Sequence, residues 1–440
     1  MDFTLGLPYL PIRSQMPSAK PSRIRWLLVG WISVVGAVSY LDRVNISIAG
    51  TSLAADFHLD HQQLGYIFSA FTLGYAMFQI AGGWLADRYG PRRILALGAV
   101  WWAVFTALTS AVPSRIAGAV LVFFAVRFML GVGESVMYPC SNRWVSDWIP
   151  RGERGLANGI LFTGVGAGAA ITPPVITAVM TRYGWRSSFW ICAIIGLLAG
   201  AVWYWLARDH PDQHPWVNDG ERARILEGIP AGEGKETHRL PWSVILSSGT
   251  VWLITFSYFC YSYAAYIFFS WFFIYLTEVR GMNLKSGSYY AALPFIAMSA
   301  GSALGGFAGD QISRRFGRRW GRCGTAIVGL SGAALFILIG SRAASPAAAS
   351  VILAGGAGAL YFSLSSFWAM TADLGRQSSG SLSGFMNMGG QIGSAITASL
   401  TPFIANHFGW TSSFLVASVM CFLGALIWLF VDPDRTLIAH

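Results

Sequence analysis

Charge is what this chain is short of. Asp, Glu, Lys and Arg make up 11% of its 440 residues, where a soluble globular domain carries about 25%. With 54% hydrophobic residues, that excludes an ordinary water-soluble domain and points to a polytopic membrane protein. Cysteine is scarce as well. Cys140, Cys192, Cys260, Cys323 and Cys421 are widely spaced and sit in or beside apolar runs. They form no metal-ligand spacing and no disulfide framework, and read as small packing residues. Period-two alternation is missing: the apolar runs are continuous, which excludes a β-barrel. There is no nucleotide loop, metal cluster or nucleophile constellation, so no enzyme, cofactor or metal is expected. No polybasic run carries interleaved aromatics, so the net charge of +10 is not a nucleic-acid signal. The first 24 residues have neither the apolar core nor the cleavage pattern of a signal peptide and read as a disordered cytoplasmic tail.

What is present is a series of runs long enough to cross a bilayer, which takes about 20 apolar residues. They fall at 25–50, 63–87, 93–112, 116–140, 155–181, 187–207, 247–277, 288–312, 320–341, 346–372, 379–405 and 411–431. This predicts an all-α polytopic membrane protein with twelve transmembrane helices. One long polar stretch divides them six and six. The expected domains are therefore a tail (1–24), an N-terminal six-helix bundle (25–207), a cytoplasmic linker (208–246), a C-terminal six-helix bundle (247–431) and a short cytoplasmic tail (432–440). Placing both termini inside puts 22 of the 30 Lys and Arg residues in cytoplasmic segments. The outside loops then hold six: Arg115, Arg182, Arg186, Arg280, Lys285 and Arg342. That bias orients a multi-pass protein of the cell inner (plasma) membrane.

The chain also repeats itself. "GGWLADRYGPRR" begins at Gly82 and "GGFAGDQISRRFGRR" at Gly305; "GAAITP" begins at Gly168 and "GSAITA" at Gly393. The two separations nearly agree, which predicts duplicated, pseudo-symmetric halves. In transporters of that construction the substrate binds between the halves near the midplane. Each glycine pair allows close helix approach. Asp87 and its counterpart Asp310 stand at helix ends, where a carboxylate can meet the positive end of a neighbouring helix.

Away from the span ends, four charged residues lie within predicted spans: Asp42 and Arg43 in the first, Arg127 and Glu134 in the fourth. Such residues cost roughly 2.5–3.5 kcal/mol each and normally face a bundle interior on a substrate or ion path. Arg127 and Glu134 share one helix face, two turns apart and too distant to bond each other. Tyr40 and Arg43, three apart, also share a face. Arginine stays charged and grips carboxylates in a planar fork, which suits an anionic substrate. A carboxylate poised between dry surroundings and a nearby cation can load and release a proton, which suits Asp42 and Glu134. The adjacency of Asp42 and Arg43 suggests that Arg43 supports ionised Asp42 in the empty site and releases it when an anion binds.

The loop "GGWLADRYGPRR" resembles the signature loop of the major facilitator superfamily, with Gly83, Asp87, Arg88, Gly90 and Arg92 in matching positions. "SYLDRVNISIA" together with "RFMLGVGESVMYPCSNRW" resembles the anion:cation symporter family within it. The resemblance implies the major facilitator fold, alternating access and a gate built from Gly83, Asp87, Arg88, Arg92 and Asp310. It implies substrate contacts from Tyr40, Arg43, Tyr75 and Arg127, with Ser365, Ser366, Trp368, Asn387 and Gln391 facing hydroxyl groups from the second half. It also implies proton coupling by Asp42 and Glu134. Helix five departs from the sugar-acid pattern: its wall near Val165 is apolar.

The expectation is a monomeric importer of a small organic anion, a sugar acid or similar carboxylate, with protons. The alternatives are a proton-coupled exporter of metabolites or drugs, an aromatic or dicarboxylic acid transporter, and a non-transporting sensor. The expected partners are the anion, protons and the lipid bilayer, without nucleic acid.

Overall fold

The structure is a computed structural model that describes residues 20–59, 61–113, 116, 118–226, 240–272 and 275–434. The first bundle comprises α1 (Ile24–Phe57), α2 (His61–Tyr89), α3 (Pro91–Ala111), α4 (Ala119–Glu134), α5 (Met137–Trp148), α6 (Arg154–Tyr183) and α7 (Trp185–Leu206). The linker contributes α8 (Asp219–Leu226) and α9 (Trp242–Ser247). The second bundle comprises α10 (Gly249–Ser270), α11 (Leu284–Phe316), α12 (Thr325–Arg342), α13 (Pro346–Gly375), α14 (Ser379–Phe408) and α15 (Trp410–Ile427). Over the described residues, each of the twelve predicted spans is mainly helix. The fourth divides into α4 and α5 at Ser135 and Val136. Pro139 explains the division, because it lacks the N–H that the Ser135 carbonyl would accept. Leu429, Trp205 and Leu121 are among many large apolar side chains on the outer surface, as expected where lipid is the solvent.

The halves meet along two matching seams, α2 against α14 and α6 against α11. A glycine makes each contact possible. A Cβ on Gly83 would stand 2.1 Å from the Gly380 carbonyl oxygen, and one on Gly306 would stand 2.2 Å from that of Gly155. No side chain fits at either crossing.

The expected disordered tail needs correction at its inner end. Residues 1–19 lie outside the described set, as do 227–239 of the linker and 435–440 of the C-terminal tail. Residues 20–24, however, are held by the linker. Asn218 Nδ2 donates to the Lys20 carbonyl at 2.8 Å. Fully buried Glu221 accepts from the Ser22 hydroxyl, from the backbone N–H groups of Ile24 and Arg25, and from Arg25 Nη1. Burial pushes the Glu221 carboxyl up, but those donors outweigh it and hold it below the usual carboxylate range. A carboxylate at the start of α1 also complements the positive end of the helix.

Candidate functional site

The central site forms where α1, α2 and α4 face α10 and α13. Arg43 Nε donates to Glu134 Oε1 at 2.6 Å, with the Glu134 side chain 1% exposed and that of Arg43 17% exposed. Three rings surround the guanidinium: its central carbon lies 4.3 Å from the Tyr75 ring centroid and 5.1 Å from those of Tyr40 and Phe71. The rings' negative faces favour a cation there. Arg127, fully sealed from solvent, stands 5.2 Å over the other reach of Phe71. It lies in the electrostatic field of both Glu134 and Asp42. Arg43 Nη2, Arg127 Nε, Glu134 Oε2 and the Tyr75 hydroxyl are buried and have no hydrogen-bond partner among the described residues.

Asp42 is placed differently from expectation. It does not pair with Arg43. Residues i and i+1 of a helix do not share a face, and Asp42 points instead toward Thr106 of α3 and Cys192 of α7. Both its carboxylate oxygens are buried without a hydrogen bond. Asn45, one turn on, reaches Cys192 Sγ at 3.5 Å and accepts from the Ser188 hydroxyl at 2.8 Å. Asp42 therefore faces the α1–α3–α7 junction and not Arg43, while remaining within the electrostatic reach of Glu134 and Arg127.

In the second half, Trp368 forms one wall. Its ring packs against Tyr138 at 5.7 Å, Phe162 at 5.4 Å and Tyr258 at 6.3 Å, so one aromatic layer joins both bundles. Asn387 Nδ2 donates to Gln79 Oε1 of α2 at 3.0 Å. Ser366 is buried and Gln391 partly exposed. The Ser365 hydroxyl is directed to the Ser302 carbonyl of α11 at 3.2 Å, away from the Arg43 site. Gln79 and Tyr138 were not singled out from the sequence. Each lies four residues after one that was, Tyr75 and Glu134, and so shares its helix face. That spacing was the available signal. Within α10, Tyr261 stacks on Tyr258 at 5.2 Å.

At one end of the two bundles, two equivalent carboxylates bridge the halves. Asp87 Oδ1 accepts from Gly380 N at 3.0 Å, and its Oδ2 accepts from Ser381 N at 2.7 Å and Ser381 Oγ at 2.6 Å. Asp310 Oδ1 accepts from Gly155 N at 3.1 Å and its Oδ2 from Leu156 N at 2.7 Å. Each aspartate thus satisfies orphan N–H groups at the first turn of a helix in the opposite half. Each also faces an arginine of its own half: Arg143 Nε is 3.4 Å from Asp87, and Arg322 Nη1 is 2.7 Å from Asp310. Arg154 Nη1 crosses to Asp373 at 2.7 Å, and Asn142 Nδ2 to the Thr371 hydroxyl at 2.9 Å. Of the other expected gate residues, Arg92 serves its own half, with its N–H on Asp209 and its Nε on the Tyr204 carbonyl. Arg88 is exposed over the Trp84 and Tyr89 rings.

Known proteins share this architecture. The Major Facilitator Superfamily sequence profile matches residues 32–398 and 319–438. A probable sulfoacetate transporter of Cupriavidus necator is 32% identical over 94% of this chain and 95% of its own length. A hexuronate transporter of Bacillus subtilis is 28% identical over 92% of this chain and 94% of its own. Among solved structures, the proton:xylose symporter XylE bound to 6-bromo-6-deoxy-D-glucose superposes with a TM-score of 0.74 at 16% identity, covering 92% of this chain and 96% of that one. FucP in the outward conformation gives 0.68 at 16% identity, covering 93% and 99%.

Proposed function

The chain belongs to the Major Facilitator Superfamily, and is a membrane transporter rather than an enzyme; from that premise we propose that it imports a small organic anion together with protons by alternating access. The observation that carries this reading is the Arg43–Glu134 contact. A guanidinium ringed by aromatics, buried and only partly used, is a receptor for a carboxylate. In the empty site that cation is held by Glu134. An incoming carboxylate competes with Glu134 for Arg43, and protonating Glu134 weakens its claim. Proton and anion then favour one another's binding, and the coupling is reciprocal.

Asp42 is the second proton site. An unpaired carboxylate charge costs several kcal/mol to bury, a cost that a bound proton removes. The named relatives, a probable sulfoacetate transporter and a hexuronate transporter, favour an anionic substrate. The arginine-rich cytoplasmic segments favour an inner (plasma) membrane protein with both termini inside, acting as a monomer with one site between its halves.

Proteoliposomes with an imposed inward proton gradient test the reading. They should concentrate a radiolabelled organic acid from a panel of sulfonated, dicarboxylic and sugar acids, and dissipating the gradient should stop it. If every acid in the panel fails to accumulate, or accumulation ignores the gradient, the reading is wrong.

A further inference from the structure

The unspent hydrogen-bonding atoms of the central site are mostly donors. Among the described residues, Arg43 Nη2, Trp368 Nε1 and the hydroxyls of Tyr75 and Tyr138 have no partner at good hydrogen-bond geometry, with Tyr258 beside Trp368 and Gln79 beside Tyr75. Trp368 is 2% exposed and Tyr75 1%. Arginine and indole N–H groups cannot accept. Glu134 Oε2 is the one unpartnered carboxylate oxygen beside Arg43. These donors stand in two groups. Arg43 and Tyr75 lie together, with the guanidinium 4.3 Å from the ring. Tyr138 and Trp368 lie together, their rings 5.7 Å apart and contributed by opposite halves. The surface around the second pair is apolar apart from Tyr258, 6.3 Å from Trp368: Phe162 stacks on Tyr138 at 5.5 Å, and Val165 follows on the same helix. Gln79, Val165 and Tyr138 are all buried as well.

A ligand hydroxyl brings a proton that needs an acceptor. A polyhydroxylated acid brings several, and beside the second pair only tyrosine hydroxyls can accept them, while the indole N–H, a phenyl ring and a valine cannot. A site built around particular hydrogen bonds rejects ligands that leave its groups unpaired. A second acceptor-only group has the opposite fit.

Resting on the transporter reading above, we propose that the site takes a compact dianion without hydroxyl groups. One carboxylate sits on Arg43 and Tyr75. A second acceptor-only group, a sulfonate or another carboxylate, sits on Trp368 Nε1 and the Tyr138 hydroxyl, joined to the first by a short carbon chain. Trp368 and Tyr138 are then the residues that choose among anions, while Arg43 supplies the general attraction for a carboxylate.

Calorimetric binding to purified protein tests this with four probes: sulfoacetate, malonate, propionate and galacturonate. The dianions should bind about tenfold or more tighter than propionate and galacturonate, the worth of one or two hydrogen bonds to a charged group. Tyr138→Phe removes one oxygen atom, and Trp368→Phe removes the indole N–H. Each should lower the dianion-to-propionate affinity ratio about tenfold, with unliganded melting temperatures confirming that the variants fold. Tighter binding of galacturonate overturns the proposal, as does a ratio that neither variant moves. If the dianions fail while another acid binds in an Arg43-dependent way, the substrate class is wrong and the transporter reading stands. If no organic anion binds, both fall.

Discussion

Arg43 and Glu134 come from helices 91 positions apart in the chain and meet at 2.6 Å, while Asp42, the chain neighbour of Arg43, faces a different pocket. Arg43 is thus held by one carboxylate and not by the adjacent one, and on the proposed reading that carboxylate controls its access to the anion. Glu134→Gln should free Arg43 permanently. The variant should bind the anion with an affinity that no longer varies with pH, should exchange it in counterflow, and should fail to concentrate it. Anion affinity measured between pH 5 and 8 checks this, and a pH dependence equal to that of the parent protein would remove Glu134 from coupling.

Arg43→Lys keeps the charge and loses the planar fork. The three-ring cage was shaped around a flat guanidinium, which an ammonium does not replace. Anion affinity should fall roughly 10–100-fold, on the scale of one or two charge-assisted hydrogen bonds, with little change in melting temperature. Near-normal uptake by the lysine variant would place the anion elsewhere.

Asp42→Asn should behave differently from the Glu134 variant. Thr106 and Cys192 accommodate an amide where they faced a carboxyl, and the Arg43–Glu134 contact is left intact. Anion binding should keep its pH dependence through Glu134, counterflow should persist, and accumulation against a gradient should be lost. Proteoliposome uptake under a pH gradient reads this directly. An Asp42→Asn protein that still concentrates substrate has a structural aspartate there and no second proton site.

On the proposed reading, the contacts of Asp87 and Asp310 with the opposite half are made only when the cytoplasmic side is closed. Asp87→Asn and Asp310→Asn should each bias the protein toward the inward-open state, because each removes contacts made in one state alone. The effects should be similar in size, since each carboxylate accepts from two backbone N–H groups of the other half. Labelling of cysteines introduced along the inner vestibule should speed up several-fold in both variants. Unchanged labelling in either would dissociate that residue from closure.

Glu221 gives a pH prediction outside the membrane. Its carboxyl is held below the usual range by the donors of Ser22, Ile24 and Arg25. Its stabilising contribution is therefore complete above the unfolded value of about 4.3 and is lost as pH falls through the lower folded value. Docking of α8 onto the start of α1 should be intact at pH 7 and loosen only below about pH 4.3. Glu221→Gln should loosen it at pH 7, seen as faster tryptic cleavage at Arg222 and Arg224. Equal cleavage rates would show that α8 is held by other contacts.

Much of this was legible in the sequence, for identifiable reasons. Hydropathy located the helices because a bilayer imposes length and polarity on every span. The repeated Gly-Gly and Asp at Gly82–Asp87 and Gly305–Asp310 marked both latches, because the same contact is made twice. The partners were less legible. Helical spacing says which residues share a face, but not toward which neighbour that face is turned. Arg43 with Glu134, Arg154 with Asp373, and Arg25 with Glu221 all depend on how helices distant in sequence are rotated and how deep they sit. The Asp42–Arg43 expectation failed on a rule the sequence did contain, since successive helical residues diverge by about 100°. Tyr138 and Gln79 were overlooked because an aromatic or amide in an apolar run looks like packing until the opposite wall is known.

The matched latches have a consequence for descent. Gly83 and Asp87 dock on Gly380 and Ser381, while Gly306 and Asp310 dock on Gly155 and Leu156. Each half carries both a plug and a socket, and the two joints are exchanged by one rotation. A single six-helix ancestor bearing one such plug and one such socket could close on a second copy of itself with no further invention. Residues away from the two joints, Arg43 and Glu134 in one half and Trp368 in the other, can then vary without loosening the closure that both halves share.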